Sequence, residues 1–157
     1  MTIEVEKPAE LDGYIRAARP YGRGNFTRVG IQIFAAALWT DAASWSMDDV
    51  FALSIRYARS FSADSLAEKS VADMHRLEKL DPGLRKAWAA ALEAVFRDVR
   101  RGDAITALWV PGQGASFFCN GAPTGIIEAE LARRFLDIWF SPRTTAPELR
   151  AALLHSA

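Results

Sequence analysis

The sequence predicts an α+β layer fold in which antiparallel strands and helices are segregated along the chain. Three observations carry the prediction. The segment FALSIRYA puts Phe51, Leu53, Ile55 and Tyr57 on one face and Ala52, Ser54, Arg56 and Ala58 on the other, the period of two expected of a strand. From Ser62 to Gly102 the apolar spacing changes to three and four, the helical repeat. Between Asp103 and Ile127 short apolar runs return, joined by Pro111-Gly-Gln-Gly114 and Asn120-Gly121, and read as a three-stranded meander. Runs of strands followed by runs of helices favour packed layers over alternating β-α units.

The first strand is VGIQIFAAALW, residues 29 to 39. Val29, Ile31 and Ile33 alternate with Gly30 and Gln32, but every residue from Phe34 through Trp39 is apolar, so both of its faces must avoid water. FALSIRYA follows as a strand with one buried face. Ser65-Leu-Ala-Glu68 reads as a capping box, and Ala67, Val71 and Met74 continue a helix to about Leu80. Asp81 is a cap and Pro82 suits the first helical position; Leu84, Trp88, Leu92, Val95 and Val99 form the stripe of a second helix expected to end at Gly102. In the meander, Asn120-Gly121 supplies the positive φ angles of a type I′ hairpin. A third helix turns Leu131, Phe135, Ile138 and Trp139 inward and stops at Ser141-Pro142. The last begins at Thr145-Ala-Pro-Glu148, a second capping box, and is held down by Leu149 and Leu153.

Bulk properties narrow the function. A chain of 157 residues suits one domain over residues 1–157, with residues 1–21 as an N-terminal extension. Nineteen Lys and Arg balance nineteen Asp and Glu, leaving no long-range field to gather nucleic acid. No apolar run reaches the roughly 18 residues that span a bilayer, so no transmembrane segment is expected. Cys119 has no second cysteine for a disulfide or a cysteine-based metal site. The polar start MTIEVEKPAELDGY shows no secretory leader. The oligomeric state is not legible.

Residues that could carry chemistry each have a plainer reading. Arg23-Gly24 leads into a strand rather than opening a helix, unlike a phosphate loop. His75 and His155 stand alone, so neither a metal nor any other cofactor is expected. Cys119 follows Phe117-Phe118 and reads as a buried inert thiol. Arg97, Arg100 and Arg101 read as cations at a helix end. Trp88 and Trp139 lie on helix stripes and read as core, and Lys69 and Asp73 read as a surface pair four residues apart.

The order of the segments IQIFAAALW, FALSIRYARSFSADSLAEKSVADM, VRRGDAITALWVPGQGASFFCNGAPTGII and LARRFLDIWFSP resembles the chalcone isomerase-like family, in particular its bacterial branch, over about residues 22 to 155. The resemblance implies a curved antiparallel sheet with helices on one face and a cleft between them. In plant chalcone isomerases that cleft closes a flavanone ring, with an arginine, a threonine on the strand matching positions 33 to 35, and a tyrosine and an asparagine on the helix matching 62 to 78. In other relatives it holds fatty acids through an arginine and a tyrosine. It also implies a periplasmic protein whose leader has been removed; otherwise the chain would be cytoplasmic.

This chain departs from that pattern. Ile33, Phe34 and Ala35 stand where the threonine would fall, Leu66 stands at the tyrosine and Asp73 at the asparagine, and only Lys69 is kept. Bacterial relatives carry Tyr-Asp-x-Arg where this chain has Phe34-Ala35-Ala36-Ala37. Without donors aimed at the developing enolate, each worth about 3–4 kcal/mol in such sites, chalcone cyclisation is not expected. The candidate cleft comprises Phe34, Ala36, Leu38, Leu66, Lys69 and Asp73, covered by the helix from Ser62, with Arg23 and Arg28 as candidate anion-gripping arginines. The expected function is non-catalytic binding of an apolar or fatty-acid-like ligand. The alternatives are an isomerase or lyase using Lys69 and Asp73, and a structural protein whose cleft is filled.

Overall fold

The computed structural model describes residues 2–16 and 19–155. Six antiparallel strands, β1 (Gly22–Arg28), β2 (Ile31–Trp39), β3 (Phe51–Tyr57), β4 (Ala104–Val110), β5 (Gly114–Cys119) and β6 (Ala122–Ile127), lie side by side in sequence order. Four helices, α1 (Ala63–Leu77), α2 (Pro82–Val95), α3 (Ala129–Phe140) and α4 (Pro147–Leu154), share one face of that sheet. The α+β layer fold is thus as the sequence predicts. Alternation assigns Ala36, Leu38, Leu53, Ile55, Ala107 and Phe117 to the helix-covered inner face, where they join Val71, Met74, Leu92, Leu131, Phe135 and Leu153 in one core.

Four boundaries differ from expectation, each for a local reason. Residues 22–28 form a full strand, β1, and the run at Val29 belongs to the hairpin tip: Val29 (φ 50°) and Gly30 (φ 74°) make the turn. A β-branched residue there carries no turn signature. Ser62, not Ser65, caps α1, its hydroxyl accepting from Ser65 N at 3.1 Å, and the helix stops at Leu77. Helix α2 stops at Val95 because the chain then runs extended to pair Val99 with Phe61, so Arg100 and Arg101 do not end a helix. Arg97 still serves the helix end, donating to the carbonyls of Ala94 and Phe96. The second capping box does not form: Ala146 is the N-cap of α4 and offers no side-chain bond.

Other readings hold. Asp81 caps α2, accepting from Leu84 N at 2.9 Å, with Pro82 in the first turn. Asn120 (φ 50°) and Gly121 (φ 86°) make the β5–β6 hairpin turn. Trp88 is buried beneath the Arg134 guanidinium, 5.6 Å from the ring centroid.

The outer face of the sheet is covered too, which the period of two in FALSIRYA does not foretell. A strap, residues 3–15, crosses it and buries Val5, Leu11 and Ile15 on Ala35, Ala37, Trp39, Ala52 and Leu108. Its ends are clamped. Ile3 exchanges hydrogen bonds with the Gln32 side chain at 2.9 and 3.0 Å, and Arg16 N donates to both carboxylate oxygens of Asp41 at 2.7 and 2.9 Å. Truncating the fully buried Leu11 to alanine should cost about 2–4 kcal/mol in a urea melt, well above the cost of an exposed substitution.

Candidate functional site

The inner face of β1 to β3 is where the expected cleft would lie. In β1 the register pairs Gly22 with Leu38, Gly24 with Ala36 and Phe26 with Phe34, so these six share the inner face. Helix α4, rather than α1, rests on this part of the sheet. It can do so because Gly22 and Gly24 have no side chains: a Cβ at Gly22 would overlap the backbone carbonyls of Ala152 and Leu153, and one at Gly24 would meet Leu149 Cδ1 at 2.9 Å. Ala36 and Leu38 are therefore sealed into the core, Ala36 at 1 % exposure. The expected cover by the helix from Ser62 is corrected by this glycine-mediated approach.

The face is less closed toward the hairpin tip. There Phe26 stacks on Phe34 (centroids 5.1 Å apart), Phe34 meets Tyr57 (6.2 Å) and Tyr57 meets Phe61 (5.7 Å), an aromatic row in which Phe26, Phe34 and Phe61 are half-buried. Arg28 caps its outer end, its guanidinium 5.7 Å from the Phe26 centroid. Leu66 packs half-buried on the same core. The row and Arg28 combine an apolar track with one cation.

The structure separates the remaining candidates. Arg23 pairs with Ala37, so it projects from the outer face, away from Phe34, Ala36 and Leu38. Lys69 and Asp73 bond each other at 2.8 Å on the surface of α1, and Arg76 lies 3.3 Å from the same Asp73 oxygen, a ladder of charges outside the core. The tyrosine that lies in the row, Tyr57, comes from β3, and its position on the inner face was readable from FALSIRYA. Burial first, then the neighbouring Cys119, raises its hydroxyl above the ordinary tyrosine range, so it remains a neutral donor at physiological pH.

Among the described residues neither of the two best-formed concavities lies between sheet and helices. One is a surface hollow around His75, Lys79, Leu80, Asp81, Pro82 and Arg85, and the other lies under the strap on the outer face. No group of three metal-ligating side chains is found among the described residues, and no helix is long and apolar enough to cross a membrane.

Cys119, at the end of β5, has its thiol pushed up by burial and by the nearby Asp103 carboxylate, with Arg97 opposing. A thiol held protonated is a poor nucleophile. Cys119 should therefore react with a disulfide reagent at neutral pH more slowly than a free cysteine, and unfolding should restore the ordinary rate, as a stopped-flow absorbance assay would show.

Comparison with known proteins agrees with this architecture. The family profile described as chalcone isomerase-like matches residues 21–155. No curated protein matches the chain. Among solved structures it is similar to a fatty-acid binding protein of Arabidopsis thaliana, with a TM-score of 0.63 and 15 % identity over 87 % of this chain and 86 % of that one. With all six strands and all four helices inside the matched span, the chain belongs to the chalcone isomerase-like family.

Proposed function

We propose that this protein is a non-catalytic binder of an apolar, acyl-chain ligand, taken up at the half-open end of the inner face. The single observation that carries the reading is the aromatic row Phe26–Phe34–Tyr57–Phe61 with Arg28 at its end. A fatty acid has the matching shape: its chain replaces water on the half-buried rings at about 0.8 kcal/mol per buried methylene, and its carboxylate meets the guanidinium. The likeness in fold to a protein titled as fatty-acid binding supports the same reading. Uptake requires the Phe34 ring to swing aside, because α4 has already closed the deeper space over Gly22 and Gly24.

A catalytic reading would have to use other residues than Lys69 and Asp73, which satisfy each other at the surface. The alternative that a specific observation favours is a purely structural protein, since the core runs unbroken from Ala36 to Leu153. Bacterial origin and periplasmic location are part of the proposal, resting on the resemblance of the segments. Recovery of the protein in the cytoplasmic fraction of its native host would count against that location.

Thermal shift and native mass spectrometry with decanoate, tetradecanoate and octadecanoate separate the two. A ligand at a hundred times its Kd should stabilise by about 2.7 kcal/mol. Arg28→Gln should weaken binding about tenfold, the loss of one charge-assisted contact. Phe34→Ala should melt earlier alone yet gain more from the fatty acid than the parent does. No bound mass and no stabilisation in either protein would leave the structural reading.

A further inference from the structure

The outer face holds a second cavity, independent of the acyl-chain site. It has a volume of about 350 Å³ and lies between the strap and the sheet, near the lower end of the roughly 300–1,000 Å³ typical of small-molecule pockets. Val5 to Glu10 form its roof, Ser54 and Arg56 of β3 and Thr106 of β4 its floor, and Asn120-Gly121 one end.

The floor is polar where its neighbours are apolar. Ser54 and Thr106, 0 % and 1 % exposed, face each other across β3 and β4 with their oxygens 3.1 Å apart. Two hydroxyls hold two hydrogens, and their mutual bond uses one, so one O–H remains to be given. Arg56 donates from Nη1 to the Gly102 carbonyl at 2.6 Å, whereas its Nε is buried with no partner. No carboxylate lies within ion-pair distance of Arg56 among the described residues. A buried guanidinium N–H left without an acceptor is costly. The floor thus presents the unpartnered Arg56 Nε–H and one free hydroxyl hydrogen, beside hydroxyl lone pairs that can also accept.

The roof carries the opposite charge, on the exposed Glu6 and the half-buried Glu10. Glu6 and Glu10 line the cavity without an ion pair among the described residues, while Lys7 is 3.5 Å from Asp12. Asn120 is already committed, receiving Ala104 N at 2.8 Å and donating to Asp103 at 3.2 Å. The feature that a bound molecule would satisfy is the buried Arg56 Nε–H, which calls for an acceptor, and the carboxylates of Glu6 and Glu10 on the roof favour a donor opposite it. A planar carboxylate suits the side-on edge of a guanidinium whose Nη1 is occupied, and a polyanion is disfavoured by the two glutamates.

We propose that this cavity is a binding site for a small hydroxy- or amino-carboxylate, its carboxylate on Arg56 and the Ser54–Thr106 pair and its hydroxyl or ammonium toward Glu6 and Glu10. The strap is then the lid of this site as well as a cover for the sheet.

The test follows the Arg56 Nε–H resonance in the 15N-labelled full chain, assigned by its loss in Arg56→Lys, during titration with L-serine, L-lactate and acetate. The expected result is saturable movement with serine or lactate at a Kd near about 1 mM, and at least about tenfold weaker movement with acetate. Ser54→Ala, which leaves Arg56 and its Gly102 bond in place, should weaken that response while retaining the parent's amide spectrum. Absence of saturable movement with all three compounds would overturn the site. Acetate binding as tightly as serine and lactate would overturn the assigned ligand class, and an unchanged response in Ser54→Ala would overturn the role given to the floor. Fatty-acid binding bears on none of these outcomes, because the acyl-chain site lies on the opposite face of the sheet.

Discussion

Strand β2 has no face that can meet water along Ala35 to Trp39, and the need to cover both of them organises the molecule. Inside, α4 descends on β1 and β2; outside, the strap lays Val5, Leu11 and Ile15 across Ala35, Ala37 and Trp39. The two covers use small residues differently. Glycines at 22 and 24 let helix backbone approach the inner face, and alanines at 35, 37 and 52 give the strap a shallow bed on the outer one.

These covers also distribute polarity. On the inner face α4 packs closely on β1 and β2, so the less closed surface is the aromatic row near the hairpin tip, with Arg28 beside it. On the outer face the strap bridges rather than fills. It leaves the Ser54–Thr106 pair and the Arg56 guanidinium beneath it, and among the described residues two of the three buried side-chain polar atoms without a partner, Trp39 Nε1 and Arg56 Nε, belong to residues of this outer face.

Short-range signals in the sequence agree with the structure where one residue type performs one local task. Asp81-Pro82 opens α2, Asn120-Gly121 turns a hairpin, and Lys69 with Asp73 pairs across one helical turn. They failed where a distant partner decides. Val99 continues the stripe of α2 in sequence, yet its amide donates to Phe61 O at 2.8 Å and the helix ends four residues earlier. Thr145 to Glu148 has the form of a capping box, but Thr144 takes over, donating to Ile138 O at 2.6 Å and accepting from Ala146 N at 3.2 Å.

The layer fold, five of the six strands, the four helices and the dry character of β2 are legible in the chain alone, because apolar periodicity and capping are written in residues close together. That Phe34, Ala36, Leu38 and Leu66 come together in one core agrees with the grouping that the family resemblance implies, since periodicity alone does not join a strand to a helix. That Arg23 and Arg28 face opposite sides emerges from the pairing of β1 with β2, since GRGNFTR carries no apolar alternation that marks it as a strand. Only the tertiary structure decided that α4 closes the deep cleft and that the strap roofs the outer face. Those contacts join residues more than a hundred positions apart in one case, and in the other a segment whose three apolar anchors follow no regular period.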